Sequence, residues 1–89
     1  MKAHNVMEDI VVSYLDGILS KRTDVCDCSR CRDMIVSIVL NNLPPKYITT
    51  ESGAMFAMME QVRVEQSSQI LRELVNAIKY MKEHPLHSR

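Results

Sequence analysis

The sequence predicts an all-α fold: a small zinc-stabilised helical domain with a long C-terminal helix, assembled as a dimer. Three observations carry that expectation. Two glycines and three prolines in 89 residues leave few tight turns, and so few short strands. Apolar residues recur at helical spacing in three stretches, the last of them far longer than an ordinary helix. Cys26, Cys28 and Cys31 crowd into six residues directly before the second stretch.

Length and composition set the limits. A chain of 89 residues makes a single domain, residues 1–89, and one so small that metal or a partner subunit often supplies missing stability. Its hydrophobic content of 46 % excludes wholesale disorder. Eleven basic residues balance eleven acidic ones, so no net field draws in nucleic acid or an anionic membrane, and direct nucleic-acid binding is not expected. Glu8 and Asp9 interrupt any signal-peptide core, and no apolar run approaches the length of a membrane span. A cytoplasmic protein with reduced thiols is the expectation, and in that compartment clustered cysteines point to metal.

The first helix is expected from about Val6 to Leu19. Asn5 is placed to cap it, Glu8 follows three residues on, and Met7, Val11, Tyr14 and Ile18 form its stripe. Gly17 weakens the last turns by about 1 kcal/mol relative to alanine. The second helix is expected from about Arg30 to Asn42, with Ser29 as its cap. Met34 to Leu40 is apolar nearly all round, so a buried strand competes; with no second strand candidate to pair with, helix is preferred, either central or packed between subunits. Pro44 and Pro45 end it by removing donors and excluding Leu43 from the α region.

A loop around Tyr47 to Gly53 leads into a third helical pattern from about Ala54 to Lys82. Met55, Met59, Val62, Ile70, Leu74, Ile78 and Met81 make its stripe, with Leu71 and Val75 alongside. The polar run Glu65 to Gln69 is the one place where it can break, and continuity is preferred. At 1.5 Å per residue the helix is about 43 Å long, whereas a globule of this chain length is only about 30 Å across. A homodimer in which each long helix lies against the other subunit resolves the mismatch.

Cys-x-Cys-x2-Cys provides three thiolates at a helix start. Thiols so close are poorly placed to pair with one another, and three is an odd number. They suit a soft tetrahedral ion, zinc being the common choice, which needs a fourth ligand. His4, His84, His87 and the aspartates Asp24, Asp27 and Asp33 are the candidates. The adjacent aspartates are poorly placed; His87 lies past Pro85, where the backbone can fold back towards the cysteines, and His84 is second choice. Arg30 and Arg32 stand near enough in sequence to offset the negative centre. Three thiolates make a weak Lewis acid and no glutamate flanks the loop, so a structural site is expected, not a catalytic one. No G-x-S-x-G, P-loop or H-E-x-x-H occurs, and no enzyme activity is expected.

Asn5-Val6-Met7-Glu8, the thiol cluster followed by Arg32-Asp33, and Leu40-Asn41-Asn42-Leu43-Pro44-Pro45-Lys46-Tyr47 together resemble the bacterial late-competence protein ComFB family. The likeness spans nearly the whole chain. It implies a helical dimer with one structural zinc per subunit and a last ligand just after a C-terminal proline, and His84-Pro85-Leu86-His87 fits that pattern with His87 as ligand. The implied role is regulatory: members are associated with natural competence, and some are similar to receptors for cyclic dinucleotides such as cyclic di-GMP. For this chain the expectation is a dimer that binds such a ligand and passes the signal to a protein partner. A dinucleotide site needs cations for its phosphates and planar groups for its bases. Arg32, Lys46, Tyr47 and Arg63 are the residues of this chain to test. The alternative is a competence or DNA-uptake adaptor with no nucleotide ligand.

Overall fold

The chain folds in the order β1 (Ala3–Asn5), α1 (Val6–Leu19), α2 (Ser29–Asn41), β2 (Tyr47–Thr49) and α3 (Met55–Glu83). The computed structural model describes residues 3–49 and 55–86, without the side chain of Met55. Helices dominate, as expected. One correction is needed: β1 and β2 form a two-stranded antiparallel ribbon, pairing Ala3 with Thr49, His4 with Ile48 and Asn5 with Tyr47. Strands of three residues are too short to show an alternating pattern, and their partners lie far apart in sequence.

Asn5 joins ribbon to helix. As the N-cap of α1, its side-chain oxygen accepts from the Met7 N–H at 3.2 Å and from the Lys46 N–H at 2.9 Å. One amide thus satisfies an orphan donor of the first turn and pins the segment after Pro45. Gly17 sits inside α1 with ordinary backbone angles, and a β-carbon there would meet nothing within 4 Å. Gly17→Ala is therefore expected to raise stability by about 0.5–1 kcal/mol, read as a higher denaturant midpoint at unchanged slope.

α2 starts one residue earlier than expected, with Cys28 as its N-cap in place of Ser29. Within one chain it is not central. It buries Cys31, Ile35 and Val39, a stripe at four-residue spacing, while Met34 is 40 % exposed. Val6, Met7, Ile10, Val11 and Leu15 of α1 and Ile70, Leu74, Ala77, Ile78 and Met81 of α3 complete the core with Leu43 and Ile48. Among the described residues no polar or charged side chain is buried, so cohesion rests on apolar packing.

α3 runs unbroken through Glu65 to Gln69, where Ser67 Oγ donates to the Val64 carbonyl at 3.3 Å. The molecule is 47 Å long and only 25 × 22 Å across, which matches the length of this helix. Its fully buried positions begin at Ile70; before that Met59 and Val62 pack at the edge of the core, and Phe56 is 82 % exposed. Half of α3 projects from the core of its own chain. Among the described residues no helix is long and apolar enough to cross a membrane.

Candidate metal centre and the surrounding cleft

The three thiols converge where the α1–α2 loop meets the start of α2. One sulfur from each of Cys26, Cys28 and Cys31 lies within 4.8 Å of the others. Cys26 and Cys28 are half-buried, whereas Cys31 packs into the core from the first turn of α2. The Cys28 carbonyl accepts the first helical hydrogen bond, from the Arg32 N–H at 2.9 Å. A helix start favours negative charge, and the sulfurs gather at this one.

The donor set suits a metal ion. Sulfurs at about 2.3 Å from a tetrahedral centre stand roughly 3.8 Å apart, so the observed cluster needs only a small contraction. Burial pushes the Cys31 thiol up to about 12, with hydrogen bonds among the three sulfurs adding to the shift. A bound dication would deprotonate such a group outright.

Beside the sulfurs a cleft of about 470 Å³ opens between the α1–α2 loop and the end of α3. Val25, Ile35, Met81, Pro85 and Leu86 give it apolar walls. Asp24 stands at its mouth, bridged by Arg22 at 2.6 Å and by Lys82 Nζ at 2.7 Å. The Arg22 guanidinium and the Lys82 ammonium hold its carboxyl far below the usual carboxylate range. This bridge ties α3 to the loop, and sequence reasoning missed it, since nothing local links positions 24 and 82. The apolar Leu86 after Pro85 is the one signal in the sequence that the chain turns inward there.

His84 is not part of the cluster. Its ring stacks on Tyr80 with centroids 4.3 Å apart, and its Nδ1 lies 3.1 Å from the Tyr80 carbonyl. His4 is at the far end of α1, paired with Asp9 at 2.6 Å. His87 lies outside the described residues. Arg32, expected to offset the thiolates, is engaged by the Asp16 carboxylate of α1.

The four residues named for a dinucleotide do not converge within one chain. Arg63 reaches α1 at Tyr14, its Nη1 lying 3.4 Å from the phenol oxygen, and it also pairs with Glu60. Arg32 meets α1 at Asp16, and positions two apart on a helix point about 200° apart. Lys46 and Tyr47 lie beside Asn5 at the start of α1, about 13 Å of helix from Tyr14. Arg63 lines a groove of about 360 Å³ between α1 and α3 with Ser13, Tyr14, Gly17, Ser20 and Lys21. Lys21 and the small residue that opens the groove, Gly17, were not picked out as ligand residues from the sequence.

Comparison with known proteins gives one family and one fold. Residues 4–85 match the family model described as late competence development protein ComFB. No curated protein matches the chain in sequence. The solved structure of the late competence protein ComFB from Bacillus subtilis is similar to it at a TM-score of 0.75, covering 94 % of each chain at 21 % identity. At that identity the structure speaks for the shared fold, and the family model, spanning nearly all of the sequence, speaks for descent. The chain belongs to the ComFB family of late competence development proteins.

Proposed function

We propose that this chain is a non-enzymatic, cytoplasmic regulatory protein: a zinc-stabilised homodimer that binds a cyclic dinucleotide and passes the signal to a protein partner. The zinc is structural, held by Cys26, Cys28, Cys31 and His87. Leu86 lines the thiol cleft, so the chain after Pro85 turns towards the cysteines, and this supports the His87 reading. Closing that site staples the end of α3 to the start of α2, beside the cleft that Ile35 and Met81 line together.

The observation that carries ligand binding is the groove between α1 and α3. It puts Arg63 and Lys21 beside a tyrosine and two serines, which suits phosphates and a planar base. Arg63 spends its guanidinium on Glu60 and Tyr14, so an incoming phosphate must compete with a carboxylate already in place. Lys46, Tyr47 and Arg32 stand on other faces and would reach the same ligand only from a second copy. Calorimetric titration with cyclic di-GMP tests the reading. Arg63→Ala is expected to weaken binding about tenfold or more, since charge-assisted hydrogen bonds are each worth about 1.5–3 kcal/mol. Flat heats for the unaltered protein at high micromolar ligand remove the nucleotide from the account.

A second reading has its own observation. Phe56 and Val64 stand 82 % and 63 % exposed on the projecting half of α3, a surface that suits a protein partner without any nucleotide. In that case the chain is a competence adaptor, and capture of its partner is indifferent to added dinucleotide.

A further inference from the structure

Cys28 and Cys31 bracket the first turn of α2. Cys28 is the N-cap, in extended conformation at φ −66° and ψ 161°, and Cys31 is the third residue of the helix. Residues three apart on a helix share a side, so these two sulfurs face one another across a single turn. The cluster spans at most 4.8 Å, and a disulfide of about 2.05 Å needs the sulfurs to close by no more than about 2.8 Å. The general objection to pairing crowded thiols therefore does not hold for this pair. It does hold for Cys26 with Cys28, which would close a small strained ring in the loop. Burial also separates the two roles: Cys28 is half-buried at the N-cap, while Cys31 is 4 % exposed.

We infer that Cys28 and Cys31 form a redox-active dithiol, which hydrogen peroxide converts to a disulfide in competition with metal binding. The Cys28 sulfur attacks one peroxide oxygen; the O–O bond breaks and leaves a sulfenic acid and one water. The Cys31 sulfur then attacks the Cys28 sulfur, the S–O bond breaks, and the second water leaves with a proton from solvent. Each sulfur gives up one electron, and the peroxide takes both. Two of the three thiolates are withdrawn in the process, and Cys26 with one imidazole cannot hold the ion. Release of the metal would free the end of α3 from the start of α2. The dithiol stands on the geometry of this turn alone; the coupling to metal rests on the zinc reading given above.

The test uses the full chain, purified under reducing conditions and treated with hydrogen peroxide. Released zinc is followed with a coloured chelator, and remaining thiols are alkylated before mass mapping. The expected result is a Cys28–Cys31 bridge, alkylated Cys26 and one ion released per bridge, all reversed by dithiothreitol and added zinc. Cys26→Ser should still form the internal bridge, which keeps the dithiol testable in a variant that cannot complete the metal site. Bridging through Cys26, disulfides between chains, or stable sulfinic acid at Cys28 overturns the inference. A protein that arrives without zinc overturns the metal reading instead, and the same bridge map then still decides the dithiol.

Discussion

Cys28→Ala lowers the melting temperature by roughly 10–20 °C, and a chelator brings the unaltered protein to the same value. The magnitude follows from the size of the domain. Small domains have about 5–15 kcal/mol of stability in total, and a three-sulfur site without its ion loses several of these, because metal binding in such sites is folding free energy. At about 4–8 °C per kcal/mol for a domain this small, a loss of ~3 kcal/mol is a large shift. Cys28 is the better probe than Cys31. Cys31 packs into the core, so its removal also leaves a cavity, whereas Cys28 is partly exposed at the N-cap. Equal melting of variant and unaltered protein, with no stoichiometric metal in either, would show that the thiols are ordinary packing residues.

Local signals made the helices legible. The range Val6 to Leu19 follows from a cap, an apolar stripe and the polar turn after it, and the structure reproduces it. α3 was readable because glutamate and glutamine are good helix formers, so the polar stretch Glu65 to Gln69 changes which face is wet without ending the helix. The ribbon was not readable. Its two strands have three residues each, and what stabilises them is Asn5, whose side chain links positions 5 and 46. α2 was readable in part. Met34 to Leu40 is apolar nearly all round, yet burial depends on which elements lie beside it, and within the chain the buried stripe is Cys31, Ile35 and Val39.

The candidate site divides in the same way. Cys26, Cys28 and Cys31 are close in sequence, so their convergence needs little more than a loop and a helix start. The walls of the cleft come from the end of α3, and no local pattern foretells that Met81 and Leu86 will face Cys31. Arg32 and Arg63 were chosen by residue type. Their use is decided by the carboxylates they meet, Asp16 from another helix and Glu60 from the same face of α3. The second of these lies three residues away and was open to inspection.

In the proposed homodimer, charge placed on the outer seam of α3 should separate the two subunits while leaving each one folded. Ala57, Val64 and Leu71 follow one another at seven-residue spacing, and Val75 comes four later, which is the pattern of a helix–helix seam. Val64, Leu71 and Val75 are 63 %, 40 % and 56 % exposed in the single chain, so an aspartate there disturbs no internal packing. In a packed seam the same aspartate must lose its water, at a cost of several kcal/mol. The double variant Leu71→Asp, Val75→Asp is therefore expected to weaken association about 100-fold or more, and to sediment as one subunit with undiminished helix content. Leu74→Asp is the contrasting change: that position is fully buried within the chain, and the substitution should unfold it. An unaltered protein that sediments as one subunit at micromolar concentration, or a double variant that sediments as the parent does, would take α3 out of the interface. A molecule 47 Å long would then carry Phe56, Val64 and Val75 into water without a partner of its own kind.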